Sequence, residues 1–196
     1  MNMIAAHAPS DRPARPPLPP AGEGGGEGVR ALRTDRLVLR PLAARDIEPF
    51  VAYRLSERSR LAYSAPTRHD ALKCFAEMVG HWTVHGFGRY AIALDDTSPA
   101  IGHAGPLAAD IGSAPEMTWT LWDTAHEGRG YATEAARAIL AHDLDRYGWS
   151  GIDALIRPEN AGSIAVAQRL GFVPDPTAAA RPWMPGALIY RLERTA

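Results

Sequence analysis

The residues Gly128-Arg129-Gly130-Tyr131-Ala132-Thr133-Glu134-Ala135 lie between an alternating stretch, Glu116 to Trp122, and an apolar stripe at helical spacing, Ala136, Leu140, Leu144 and Tyr147. Strand, glycine turn and helix together make an anion-binding layout. Amides in the first turn of a helix have no intrahelical partner, and the helix carries partial positive charge at that end, so a phosphate placed there meets several N–H donors. Gly128 and Gly130 let a ligand approach the backbone closely, and Arg129 adds a cation. Gly128, Arg129, Gly130, Tyr131, Ala132 and Thr133 are therefore the candidate phosphate cradle. Two common cradles fit poorly. A P-loop needs Lys and Ser or Thr after its last glycine, where this chain has Tyr131-Ala132. A dinucleotide fingerprint needs glycine at position 133 and an acidic residue ending the next strand, where this chain has Thr133 and Ile156-Arg157-Pro158.

The elements that position this turn follow from periodicity. Leu37-Val38-Leu39-Arg40 reads as a strand ending at Pro41, followed by a helix with Asp46 as N-cap and Ile47, Phe50, Val51 and Leu55 at helical spacing. Thr67 with Asp70 forms a capping-box start for a second helix, whose stripe is Leu72, Phe75, Met78, Val79 and Trp82 and whose stop is Gly86. Arg89 to Leu94 and Ala100 to His103 form a hairpin across Asp95 to Pro99, and Glu116 to Trp122 is a further strand. After the glycine turn and its helix, which stops at Gly148, come a strand at Ile152–Ile156, a turn at Pro158-Glu159-Asn160, and a helix from Ser163 to Leu170 closed by Gly171. Strands at Phe172-Val173 and Leu188–Leu192 complete the chain. The fold class expected is mixed α/β.

With 196 residues, 46% of them hydrophobic, the chain has material for one sizeable core. Residues 1–30 hold six of the 17 prolines, five of the 18 glycines and none of the aromatic residues, so the expected division is a disordered tail over 1–33 and one domain over 34–196. A formal net charge of −1 provides no field for a polyanion, which argues against a nucleic-acid partner. The single cysteine, Cys74, excludes an intrachain disulfide and a zinc site built on paired thiolates, so no metal is expected. No apolar run reaches the roughly 20 residues of a membrane span, and the cytoplasm is the expected location.

Three segments in order carry a family resemblance: Thr34-Asp35-Arg36-Leu37-Val38-Leu39-Arg40-Pro41-Leu42, the Gly128 to Ala135 turn, and Pro158-Glu159-Asn160-Ala161-Gly162-Ser163 with Leu170-Gly171-Phe172. From Thr34 to about Arg194 the chain resembles the GCN5-related N-acetyltransferases (GNAT), in the branch typified by RimJ and RimL. The resemblance implies a mixed sheet splayed open to admit the pantetheine arm of acetyl-CoA. It also implies transfer of an acetyl group from that co-substrate to a primary amine by direct attack in a ternary complex, in a monomer or homodimer. The alternative is a non-catalytic acyl-CoA-binding module.

That chemistry asks for a base to take the ammonium proton and an acid for the departing thiolate. Glu116, which shares a strand face with Thr118, Thr120 and Trp122, is the candidate base, with an exposed strand-end carboxylate as the alternative. Glu134 is a lesser candidate, because a first-turn carboxylate needs no catalytic duty, and His126 is a candidate relay. The usual GNAT acid, a tyrosine five residues before Phe172, is replaced by Ala167. Ser163 is then the candidate donor to sulfur, or else a helix-start hydroxyl. Asn160 is expected to meet the pantetheine arm, a neighbour capping the helix, with N-capping by Asn160 itself as the alternative. Glu127 stands where many GNATs have Arg or Gln; a carboxylate beside pyrophosphate is unfavourable unless it points to water, and Arg129 offers compensating charge. Trp82, Trp119, Trp122, Tyr90 and Tyr63 are candidate walls of an acceptor cleft, or core.

Overall fold

The computed structural model describes residues 30–61, 67–109 and 113–194. Among the described residues are four α-helices and eight strands, and the helices and seven of the strands follow the expected order. The strands are β1 (Leu32–Arg33), β2 (Val38–Arg40), β3 (Tyr90–Ala93), β4 (Gly102–Leu107), β5 (Glu116–Leu121), β6 (Gly151–Ile156), β7 (Val173–Pro174) and β8 (Leu188–Glu193). The helices are α1 (Ile47–Leu55), α2 (Arg68–His85), α3 (Tyr131–Arg146) and α4 (Ala161–Leu170). β1 was not expected: Leu32 and Arg33 pair with Leu39 and Val38, so the folded region begins ahead of Thr34, and two residues assigned to the tail belong to the sheet. Residues 1–29 and Tyr63 lie outside the described residues.

The sheet runs β1-β2-β3-β4-β5-β6-β8-β7 and is antiparallel everywhere except at β5 and β6. β5 pairs with β4 along its whole length, and β6 does the same with β8. Between themselves β5 and β6 register only at Glu116↔Asp153. Beyond that pair the two strands part, and a mixed sheet opened at its one parallel pair leaves a gap whose backbone groups are available to a ligand.

Two cores flank the sheet, as the two-residue period of strands requires. Tyr90 and Ile92 of β3 and Met117 and Leu121 of β5 join Ala135, Ala136 and Ile139 of α3 and Phe172 in the larger one. Ala91 and Trp122 face the other way, into Phe50 and Tyr53 of α1 and Phe75 and Met78 of α2. Leu72 and Val79, expected in the α2 stripe, are exposed instead; the buried row is Ala71, Phe75 and Met78, a stripe narrower than the apolar residues suggested. The α2 start is as expected, with Thr67 Oγ1 accepting from Asp70 N and the Asp70 carboxylate accepting from Thr67 N.

Asp46 precedes α1 but makes no side-chain cap bond. It is fully buried, accepts two bonds from the Arg40 guanidinium at 2.7 and 2.9 Å, and accepts the N–H groups of Ala43 and Ala100. Burial pushes its carboxyl up, but the guanidinium and the two amides outweigh this and hold it below the ordinary range. Asp46 thus ties β2, the start of α1 and the β3–β4 hairpin together.

Candidate functional site

A cleft of ≈ 1400 Å³ opens where β5 leaves β6. Trp119, Thr120 and Leu121 of β5 form one wall, the Glu127–Thr133 segment forms the end, and Asn160, Ser163 and Val166 of α4 form the other side. Every residue expected to hold the cofactor (Gly128, Arg129, Gly130, Tyr131, Ala132, Thr133 and Asn160) lines this one cleft, as does Ser163. Gly128 and Gly130 adopt φ of +69° and +80°, values that L side chains resist. No side chain caps α3, so the amides of Tyr131, Ala132 and Thr133 keep their donors for a ligand, and the Glu134 amide is the first to bond within the helix, to Gly130 O. A Cβ built at Gly128 meets nothing within 4 Å. The turn is a concave, amide-lined surface at a helix N-terminus, and it fits a pyrophosphate.

Charge around the turn has the same sense. Five arginines (Arg36, Arg58, Arg129, Arg137 and Arg169) line the cleft against three acids (Asp35, Glu127 and Glu134). Glu127 is exposed to water and is also paired. It pairs with Arg58 at 2.5 Å, and Arg58 also donates to Leu121 O, so the carboxylate beside the turn is neutralised by the segment after α1. Glu134 has a structural duty: it accepts from Thr34 Oγ1, Arg36 N and Arg36 Nε. Burial raises its carboxyl, and the Thr34 and Arg36 bonds more than compensate, leaving it below the ordinary range.

Arg36 is the residue that sequence reasoning missed. Its guanidinium pairs with Glu134, donates to Arg129 O at 2.9 Å and lies over the Tyr131 ring at 4.8 Å from the centroid. It fastens the turn from both ends and adds a cation–π contact to the first helical residue. The signal was present in the opening segment, but only the tertiary approach of the β1–β2 turn to α3 shows its partner.

The proposed acid and base occupy different places. Ser163 is half-buried in the cleft at the third position of α4, its N–H donating to Asn160 Oδ1 at 3.0 Å. Asn160 therefore caps α4 itself; no neighbour does so, and the cap uses its Oδ1 and not its amide nitrogen. Ala167 is fully buried in the larger core, so the position of the usual tyrosine presents no group to the cleft. His126 stands in a 3-10 turn with its ring centroid 6.4 Å from that of the cleft-lining Tyr131, and is not itself part of the lining.

Glu116 is 5% exposed, buried rather than at a solvated strand end, at the point where β5 and β6 part. The cleft lining does not include it. Its Oε1 accepts from Arg181 Nε at 3.3 Å and its Oε2 from Trp183 Nε1 at 3.4 Å. Burial pushes its carboxyl above the ordinary range, against the lowering effects of Trp183 and Arg181. A raised carboxyl is a stronger proton acceptor when ionised. Of the candidate aromatic walls, Tyr90 and Trp122 are buried and Trp82 is partly buried, bonded to Arg89 O. Among the described candidates only Trp119 reaches the cleft, where it is joined by Tyr53. Trp122 Nε1 donates to His103 Nδ1 at 2.9 Å, and burial pushes that imidazole well below its usual range, so it stays neutral.

This geometry can be set beside known proteins. Residues 36–173, which include the turn and the capped start of α4, match the model of the Acetyltransferase (GNAT) domain. The chain belongs to the GNAT acetyltransferase family. A crystal structure of an acetyltransferase from Agrobacterium tumefaciens strain C58 is 32% identical and superposes with a TM-score of 0.78, covering 86% of this chain and 96% of that one. An uncharacterised protein from Bacillus subtilis strain 168, YkkB, is 28% identical over 146 residues, 71% of this chain and 83% of its own. The fold is also shared with RimL, a ribosomal L7/L12 α-N-protein acetyltransferase solved with coenzyme A, at 18% identity and a TM-score of 0.68, over 84% of this chain and 98% of RimL. The mixed sheet opened between β5 and β6 is thus the GNAT fold expected for the chain, with its glycine turn at the end of the opening.

Proposed function

We propose that this GNAT acetyltransferase binds acetyl-CoA in the β5–α4 cleft and transfers its acetyl group to a primary amine, on a protein N-terminus or a small molecule. The observation that carries this reading is the uncapped first turn of α3, with its two left-handed glycines, set at the mouth of the gap between β5 and β6. The Gly128–Thr133 amides and Arg129 suit the pyrophosphate, and the gap suits an extended arm that ends in an acyl group. RimL and an aminoglycoside acetyltransferase of the same fold were solved with coenzyme A, which supports the choice of ligand.

Acetyl-CoA supplies an activated thioester; the amine nitrogen bonds to its carbonyl carbon, the C–S bond breaks, and the amine's proton and the thiolate leave separately. Glu116, buried, raised and outside the cleft lining, takes the ammonium proton through water. Ser163 donates to the departing sulfur from the start of α4. Trp119 and Tyr53 supply an aromatic wall in the cleft.

The test is acetyl-CoA consumption by the full-length protein with a panel of spermidine, kanamycin, tyramine and peptides beginning with Ser or Ala. Stoichiometric release of CoA and acetylated amine with at least one member is expected. CoA binding without turnover of any member would instead identify a non-catalytic acyl-CoA module.

A further inference from the structure

Glu116 and Asp153 are directly opposed on parallel strands at the last registered pair before β5 and β6 separate, and both are 5% exposed. Two buried carboxylates so placed repel each other and are costly unless paired. The pairing comes from the connection between β7 and β8. Arg181 reaches in with Nε on Glu116 Oε1 at 3.3 Å and Nη2 on Asp153 Oδ2 at 2.8 Å, while its Nη1 is fixed to Ala179 O at 2.8 Å. Trp183, two residues on, takes the other Glu116 oxygen with Nε1 at 3.4 Å and leaves its ring 54% exposed. Arg191 of β8 holds the second Asp153 oxygen at 3.2 Å. Both oxygens of Glu116 are thus held by one loop, and by side chains that no family signature in the sequence singled out.

We infer that Arg181 and Trp183 are positioning residues for Glu116, orienting its carboxylate at the fork of the sheet by holding both of its oxygens. The proposal rests on Glu116 being the base. The charged groups facing Glu116 among the described residues are Arg181 from the loop and Asp153 from β6, with Arg191 acting through Asp153. Burial and Asp153 favour the protonated acid, whereas Arg181 and the Trp183 N–H favour the carboxylate. Without the loop's two side chains, the desolvated carboxyl beside Asp153 would hold its proton to higher pH and lose its fixed orientation.

The test is a 13C NMR titration of full-length protein labelled at the glutamate side-chain carboxyls, with the Glu116 resonance identified as the one lost in Glu116→Gln. The Glu116 midpoint is expected to rise by on the order of one pH unit in Arg181→Met, a tenfold fall in the ratio of ionised to protonated carboxyl at a given pH. A smaller rise is expected in Trp183→Phe, which keeps the ring and removes the donor, and Arg181→Lys should fall between wild type and Arg181→Met. An unmoved midpoint in folded Trp183→Phe and Arg181→Met overturns the proposal; if Arg181→Met does not fold, an unmoved midpoint in Trp183→Phe alone does so. Failure of the base assignment reads out separately, because Glu116→Gln would then acetylate an accepted amine at the wild-type rate while the midpoint shifts persisted.

Discussion

At the scale of single residues, the reading turns on two groups that were candidates for the chemistry the family resemblance implies and that the structure separates. Glu116 lies at the fork of the sheet, buried and raised, and Ser163 lines the cleft at the start of α4. Their loss should therefore have different signatures. Glu116→Gln should lower turnover by roughly 10²–10⁴-fold near neutral pH. The deficit should shrink as pH approaches the acceptor's own pKa, where free amine no longer needs a base. Ser163→Ala should cost only about tenfold, at every pH, because a thiolate leaves tolerably without an acid. A pair of pH–rate profiles with one accepted amine checks both; a flat deficit for Glu116→Gln would remove it from the base role. The face and the turn were legible because strand alternation and glycine spacing are local patterns. Arg36, Arg181 and Trp183 were not, since each acts on a partner 65 to 98 positions away, and no local period encodes such a meeting.

Among elements, α3 does most of the work. Its N-terminus forms the anion turn, its Glu134 is fastened to the β1–β2 turn through Thr34 and Arg36, and its inner face carries Ala135, Ala136 and Ile139 into the larger core. It also buries Asp143, which bonds His142 Nδ1 through Oδ1 at 2.7 Å and leaves Oδ2 without a partner among the described residues. Burial pushes this carboxyl up to about 6, against the lowering effects of His142 and Arg146. A folded-state pKa above the unfolded one means that the native protein binds the extra proton between about 4 and 6. This residue's contribution to stability therefore weakens as pH rises through that window. Asp143→Asn removes the buried charge and should be more stable than wild type at pH 7, by on the order of 1 kcal/mol, with the gain gone near pH 4. Thermal melts at the two pH values check this; an equal gain at both would point to packing instead of charge. The capped start of α2 and the glycine stops of α2 and α4 were readable because capping is a contact over three residues, whereas capping of α4 by Asn160 was only the alternative reading. The misjudged α2 stripe and the role of Asp46 depended on which neighbours arrive, and periodicity does not report that.

On the scale of the whole molecule, the order of elements and the mixed class were legible from alternation, helical stripes and turn residues. The pairing of β5 with β6 at a single position was not, because register in a parallel pair is set by long connections instead of a turn. Residues 1–30 contain no aromatic anchor, and the sheet begins at Leu32. Deleting 1–30 should therefore leave the melting temperature and acetyl-CoA affinity nearly unchanged. A large fall in melting temperature would show that this segment contributes to the domain.

The central claim, that the glycine turn at the head of α3 holds the pyrophosphate of an acyl-CoA, is tested most directly by calorimetric titration of CoA into wild-type protein and Gly130→Val. Wild type should bind CoA at one site and show no binding of NAD. Valine at a position with φ of +80° strains the turn and places a branched side chain where backbone must meet phosphate. In a variant that melts as a folded protein, CoA binding should weaken by about tenfold or more, which is about 1.4 kcal/mol or more. Equal CoA affinity in the two proteins, or NAD binding in place of CoA, would contradict the account.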